Sequence, residues 1–158
     1  MKKKNNPLVS VLINNYNNQK YCVQAVQSVL DQNYNNIEII FYDDFSDDLS
    51  LNKIIELKND KIRIIRNTTR GKDYSLNQMK AIFEALRKSK GEIVCILDSD
   101  DFFKRNKIRK VVNFFNKNDK QEILFDKPIN YFDRKKQYKD KKVFRTRYLK
   151  WPIFPPTS

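Results

Sequence analysis

The residues of this sequence best suited to chemistry are aspartates, and they come in clusters. Asp43-Asp44-Phe45-Ser46-Asp47-Asp48 and Asp98-Ser99-Asp100-Asp101 hold seven carboxylates in two short runs. So much negative charge in one place is unfavourable unless a cation or hydrogen-bond donors compensate it. The Asp-x-Asp spacing of Asp98 and Asp100 directs alternate carboxylates out of an extended segment. That suits a hard divalent ion held by few protein oxygens together with phosphate oxygens and water, so Mg2+ or Mn2+ is the expected cation. Zinc is not, because the chain has no histidine and Cys22 and Cys95 lack Cys-x-x-Cys spacing. The missing histidine also excludes Ser-His-Asp and Cys-His mechanisms, so catalysis would have to run on carboxylates. The plainer role of the same aspartates is to cap the helices that follow them.

Phosphate binding of the glycine-rich kinds is excluded as well. Gly71 and Gly91 are the only glycines, so neither a P-loop nor a Gly-x-Gly-x-x-Gly fingerprint exists. A nucleotide would be held by carboxylates, metal and loop amides instead.

The elements that must position these residues follow from apolar patterning. Leu8 to Ile13, Ile37 to Tyr42, Lys61 to Ile65 and Ile93 to Leu97 read as strands. Helices are predicted between them: Tyr21 to Leu30 after a cap at Asn17 or Asn18, and Leu49 to Leu57 capped by Asp48 or Ser50. A longer one opens at Asp73 or Ser75, runs through Met79, Ile82, Phe83 and Leu86, and stops at Gly91. Ile108, Val111, Val112 and Phe115 mark a fourth amphipathic helix, packed on the sheet, and Glu122 to Phe125 a fifth strand. Lys127 to Lys142 shows no clear period. Strands alternating with helices imply right-handed crossovers and a doubly wound, mainly parallel α/β sheet with helices on both faces. Ligands of such sheets collect beyond the carboxyl ends of the strands, where both acidic runs fall.

The chain's 158 residues suit one core domain, taken as residues 1–126, followed by a basic, irregular region, 127–158. Charge divides unevenly: residues 1–101 carry 15 Lys/Arg against 14 Asp/Glu, residues 102–158 carry 17 against 5. The basic third could face phosphates, nucleic acid or an anionic leaflet, or simply decorate solvated surface. No apolar run is long enough for a spanning helix, and the N-terminus lacks a signal-peptide cleavage site. The cysteines read as small core hydrophobes in a reducing compartment, and the expected location is cytoplasmic.

Taken together, Pro7-Leu8-Val9-Ser10-Val11-Leu12-Ile13-Asn14-Asn15-Tyr16-Asn17, Ser28-Val29-Leu30-Asp31-Gln32-Asn33-Tyr34, Ile37-Glu38-Ile39-Ile40 with Asp43 to Asp48, and Gly91-Glu92-Ile93-Val94 with Leu97 to Asp101 resemble family 2 of the GT-A (Rossmann-like) glycosyltransferases. The resemblance covers nearly the whole chain, in order. It implies a UDP-type nucleotide-sugar donor, with Asn14 and Tyr16 lining the base pocket and Asp44 hydrogen-bonding the base. Asp100, with Asp98 near the ribose or metal, would carry the diphosphate-bridging Mn2+ or Mg2+. Ser99 lies in the same donor-binding loop, and Arg70 or Lys72 would reach the donor phosphates. The sequence departs from the family at Asn14-Asn15, where Pro-Thr or Pro-Ser is common, at Phe45, where glycine is common, and at Leu76, often arginine.

The resemblance further implies inversion at the anomeric carbon by direct displacement, a glycan or lipid-linked glycan acceptor, and a role in cell-surface glycan synthesis. Peripheral contact with the inner face of the membrane fits that role, and nucleic acid is not an expected partner. The general base would lie beyond residue 158; Asp126 and Asp133 are carboxylates that nothing in their spacing singles out. The Trp151 to Ser158 ending resembles a segment that bacterial relatives continue into the acceptor-binding half. The expectation is therefore a chain truncated at the C-terminus that binds donor without transferring it. Two alternatives stand beside this reading: a nucleic-acid- or anion-binding α/β module using the basic third, and a receiver-like domain, which would need its acidic pair where Asn14-Asn15 stand.

Overall fold

The four apolar runs form four strands of one sheet. The computed structural model describes residues 6–118 and 123–124, and the backbone of 130–132 and 137–139. It places β1 (Val9–Asn15), β2 (Ile37–Asp43), β3 (Ile62–Arg66) and β4 (Ile93–Asp98) in the order β3-β2-β1-β4, every pair parallel. Helices α1 (Cys22–Leu30), α2 (Ser50–Glu56), α3 (Tyr74–Lys88) and α4 (Lys107–Lys117) fill the connections and follow β4. Parallel strands are buried on both faces, which is why β1 and β2 are nearly continuous Val, Ile, Leu and Phe. Val9, Val11, Ile13, Ile39, Phe41, Cys95 and Leu97 meet α1, α2 and α4 on one face, while Leu12, Ile40 and Tyr42 meet Ala81 and Ala85 of α3 on the other. The doubly wound fold expected from the sequence is the one observed. Burial pushes the Cys95 thiol up to about 11, which makes it an inert core residue.

Three local expectations need correcting. Neither Asn17 nor Asn18 caps α1 with its side chain; the helix starts after Tyr21, with the Asn18 carbonyl accepting from the amides of Tyr21 and Cys22. Both asparagine side chains are used across the loops instead. In α3, Met79, Phe83 and Leu86 are exposed, and the helix buries Asn77, Ala81 and Ala85. Two alanines allow the axis to approach β1 and β2 closely, so the larger side chains lie along the flank. Asp73 caps this helix as expected, accepting from the Leu76 amide. Gly91, predicted as the helix stop, has no left-handed backbone; α3 ends at Lys88 with Ser89 as its cap. Glycine is required at 91 because the chain crosses β1 there: an added Cβ would lie 2.5 Å from both the amide nitrogen and Oγ of Ser10.

The loops at the carboxyl end of the sheet are stitched by asparagine. Asn15 Nδ2 donates to Asp43 Oδ1 at 2.9 Å, Ser46 Oγ at 3.1 Å and Ser50 Oγ at 2.9 Å. Asp43 is fully buried, and its two carboxylate oxygens are satisfied by Asn15 Nδ2 and by the Ser46 amide. Asp48 accepts from the amide and hydroxyl of Ser50 and from the Gln19 amide. Burial opposes ionisation of Asp48, but those hydrogen bonds and Lys53 outweigh it and hold its carboxyl below the usual range. Its contribution to stability is therefore present above the ordinary carboxylate pKa and is lost as pH falls through the depressed value.

Residues 123–158 cluster as a second compact unit. Its described elements are β5 (Asn130–Phe132) and β6 (Gln137–Lys139), an antiparallel pair inside the stretch that showed no period. Strands of three residues are too short to display one. Of the strand expected at 122–125, Ile123 and Leu124 are described and belong to no strand, and Glu122 and Phe125 lie outside the described residues. Asp126, Asp133 and the Trp151 to Ser158 segment also lie outside them. No helix among the described residues is long and apolar enough to cross a membrane.

Two stability measurements check this account. Gly91→Ala is expected to lower stability by about 1–3 kcal/mol through the forced shift against Ser10, read as a lower urea midpoint with unchanged slope. Asn15→Ala should cost on the order of 3 kcal/mol, because it strips a buried carboxylate of its donor; a loss under about 0.5 kcal/mol would contradict the network.

Candidate functional site

In the strand order β2-β1-β4, chain winding reverses across β1, so a crevice opens beyond its carboxyl end. Both acidic loops border that crevice and are tied to the last two residues of β1. The Asp44 amide donates to the Asn15 carbonyl at 2.8 Å, and the Ser99 amide to the Asn14 carbonyl at 3.2 Å. Asp44 and Asp98 to Asp101 thus flank one strand from its two sides.

On the β2 side the structure brings together Tyr16, Asp44 and Arg70. Arg70 Nε donates to Asp44 Oδ2 at 2.7 Å, and its guanidinium carbon lies 3.5 Å from the centroid of the Tyr16 ring. The second carboxylate oxygen accepts from Asn67 Nδ2 at 2.8 Å. Tyr16 is 40% exposed and Asp44 only 6%, so a planar group meets a shielded carboxylate at the crevice wall. Arg70, which the family resemblance offers together with Lys72 as a phosphate contact, is held at Asp44 and Tyr16; Lys72 is exposed farther along the same loop. Phe45, next to Asp44, has φ 63. This left-handed backbone explains why glycine is common there, and an aromatic residue occupies it under strain.

On the β4 side the arrangement is more open. Asp98 Oδ1 accepts from Gln78 Nε2 of α3 at 3.2 Å. Ser99 is buried, and its hydroxyl accepts from Asn18 Nδ2 at 3.0 Å. Asp100 and Asp101 are exposed. Partial burial of its carboxyl group, then the charges of Asp100 and Asp98, raise the Asp101 pKa. Asn14 stands between Tyr42 and Asp98 in register, and neither its Nδ2 nor its Oδ1 has a hydrogen-bond partner although both are buried. A buried amide with both functions unused is costly and marks a place where a ligand can contribute.

The two acidic loops solve their charge problem differently. After β2, protein donors do the work: Asn15 serves Asp43, Asn67 and Arg70 serve Asp44, and Ser50 serves Asp48. After β4, donors are few, and this is where a cation fits. No group of three or more His, Cys, Asp or Glu side chains able to hold a metal exists among the described residues. A cation here would have one or two carboxylates and take its remaining ligands from phosphate and water, which is ordinary for Mg2+. The cavity of about 890 Å³ beside α1, lined by Gln24, Gln27, Phe102, Phe103 and Arg105 among others, contains none of the expected site residues. Sequence reasoning missed Asn67, Asn77 and Gln78 because isolated amides in loops and helices carry no pattern of their own.

Comparisons with known proteins bear on the family and the fold. The sequence model of Glycosyl transferase family 2 matches residues 10–156. An uncharacterised glycosyltransferase of Nostoc sp. is 38% identical over 114 residues, covering 70% of this chain and 34% of that protein. The Escherichia coli UDP-Glc:alpha-D-GlcNAc-diphosphoundecaprenol beta-1,3-glucosyltransferase WfaP is 34% identical over 128 residues, covering 81% of this chain and 47% of that one. The crystal structure of S. aureus TarS in complex with UDP-GlcNAc superposes with a TM-score of 0.60 at 25% identity, over 71% of this chain and 32% of that one. The chain therefore spans about a third to a half of the length of these relatives. A match along nearly its whole sequence, on the sheet it shares with TarS, shows that this chain belongs to glycosyl transferase family 2 and has the GT-A fold.

Proposed function

We propose that this chain is the donor-binding part of an inverting glycosyltransferase, and that it takes a uridine diphosphate sugar with Mn2+ or Mg2+. The observation that carries the reading is the Tyr16, Asp44 and Arg70 group on one side of β1, with Asp98 and Asp100 on the other. A nucleobase stacks against Tyr16 or against the guanidinium layered on it. Asp44 is an acceptor, so it selects a base edge bearing a ring N–H, and Arg70 beside it can donate to a neighbouring carbonyl. Uracil presents that edge, and guanine shares its ring N–H and carbonyl. Cytosine and adenine have bare ring nitrogens that the carboxylate repels. The crystal complexes of S. aureus TarS with UDP and UDP-GlcNAc support the uracil choice.

Across the crevice, Asp98 and Asp100 would hold the cation, Ser99 would keep their loop against β1, and the unused Asn14 amide would meet the ribose or diphosphate. Lys72 serves the donor from the rim. The cation supplies neutralisation of the departing nucleoside diphosphate. What these residues contribute is alignment of the anomeric carbon, so that an acceptor hydroxyl attacks from the face opposite the leaving group and inverts the centre. Removal of the acceptor proton needs a carboxylate, and none of the described residues is assigned that role. WfaP is named for transfer to a diphosphoundecaprenol-linked sugar, which supports a glycan or lipid-linked glycan acceptor for the whole protein, in cell-surface glycan synthesis. A cytoplasmic location with peripheral membrane contact fits such an acceptor, and the exposed cations Arg105, Lys110 and Lys117 around α4 are suited to an anionic leaflet.

Calorimetry tests the donor reading. UDP is expected to bind with Mn2+ or Mg2+ present and to lose at least about tenfold in affinity when a chelator removes the cation, and ADP and CDP should bind at least about tenfold more weakly than UDP. Asp44→Asn should weaken UDP by roughly ten- to a hundredfold, the value of one hydrogen bond to a charged group. Equal affinity for UDP and ADP, or an unaffected Asp44→Asn variant, would remove the proposed base site.

A further inference from the structure

Arg70 can read a base only if its long side chain is held in one place, and the loop that carries it is short of apolar anchors. The segment between β3 and α3 is instead clipped at both ends by asparagine side chains. At its start, the Asn67 amide donates to the Asp43 carbonyl at 2.8 Å, Asn67 Nδ2 donates to the Thr69 carbonyl as well as to Asp44, and Asn67 Oδ1 accepts from the Thr68 amide at 3.0 Å. At its end, Asn77 in the first turn of α3 faces Gly71. Its Oδ1 accepts from the Gly71 amide at 3.1 Å, and its Nδ2 donates to the Gly71 carbonyl at 2.8 Å. Both polar functions of the Asn77 side chain are thus spent on the main chain of one residue, Gly71, the neighbour of Arg70.

We propose that Asn77 is a positioning residue for donor recognition: its amide closes a two-bond ring with Gly71 and so fixes Arg70 over Tyr16 and against Asp44. The inference rests on the base-site reading above and extends it to a residue that does not touch the donor. Three observations carry it. Asn77 is one of only three α3 residues that are buried, the other two being the alanines that seat the helix on the sheet, so its amide is anchored to the rigid part of the fold. A buried amide without partners would be costly, and Gly71 supplies partners for both of its functions. Glycine at 71 belongs to the same device, since an added Cβ would press on Asn77 Oδ1 at 3.1 Å.

A double-mutant cycle on UDP affinity, measured on the full 158-residue chain with Mn2+ present, tests the proposal. Asn77→Ala is expected to weaken UDP about tenfold and to reduce its preference over ADP, as Arg70→Ala does. In an Arg70→Ala background the same change should alter UDP affinity by less than about twofold, because the group it positions is gone. Inorganic pyrophosphate, which reports on the cation side alone, should bind Asn77→Ala and the parent protein equally. If Asn77→Ala does not fold, Asn77→Asp preserves the size of the side chain while setting a carboxylate oxygen against the Gly71 carbonyl, and the same pattern is expected of it. An equal loss in both backgrounds, or a loss of pyrophosphate binding, would show that Asn77 only supports the fold and would overturn the proposal. Weakening by Arg70→Ala but none by Asn77→Ala or Asn77→Asp would overturn it while leaving the base site standing. UDP binding that ignores Arg70→Ala would remove the base site and this inference together.

Discussion

Two backbone carbonyls at the end of the central strand hold the site together. The last residues of β1, Asn14 and Asn15, accept hydrogen bonds from the loop after β4 and the loop after β2 respectively. Each bond is unremarkable in energy, about 1 kcal/mol net, but between them they decide that two acidic segments far apart in sequence face the same crevice. The side chains of the following loop reinforce the placement: Asn15 reaches Asp43, Ser46 and Ser50, the Asn17 amide donates to Ser46, and Asn18 reaches Ser99. Asparagine suits this work because its short side chain ends in an amide nitrogen that can donate across neighbouring loops.

From that framework the electrostatics follow. A carboxylate can be kept in a protein wall by donors or by a cation, and this chain uses donors where the group must be fixed and leaves them sparse where it must receive a ligand. Asp43 is structural, buried beneath the crevice. Asp44 is restrained by Asn67 and Arg70 with its edge still able to accept. Asp100 and Asp101 remain open to water. The carboxyl end of the sheet thus runs from a donor-rich wall on the β2 side to an open acidic one on the β4 side.

Much of the fold was legible in the sequence because parallel strands buried on both faces read as unbroken apolar runs, and the four strands and four helices of the core lie close to where those runs predict. The α3 face was misread because periodicity records where large apolar residues recur, whereas contact with the sheet was decided by Ala81, Ala85 and Asn77. The glycine at 91 was noticed for the wrong reason: its effect comes from crossing Ser10, a contact distant in sequence. The aspartates announced themselves by clustering, whereas Tyr16 was singled out only by the resemblance to the family. The pairing of Arg70 with Asp44 depends on how one loop folds back, which no local pattern encodes. Phe45 shows the converse case, since its departure from the family's glycine gains meaning only once φ 63 is known.

The edge position of β4 gives the crevice two halves of unequal permanence. Among the described residues β4 pairs with β1 alone, and the Asn18 to Ser99 bond that helps secure its loop closes over 81 residues of chain. Such long closures form late in folding and outer strands loosen first in the native protein. The wall built on β2 is braced by strands on both sides, so transient fraying of β4 would release the Asp98 to Asp101 loop while Tyr16 and Asp44, at the ends of the two inner strands, kept their arrangement. Hydrogen exchange would then be graded across the carboxyl end of one sheet, slow in the wall beside β2 and faster in the loop beyond β4.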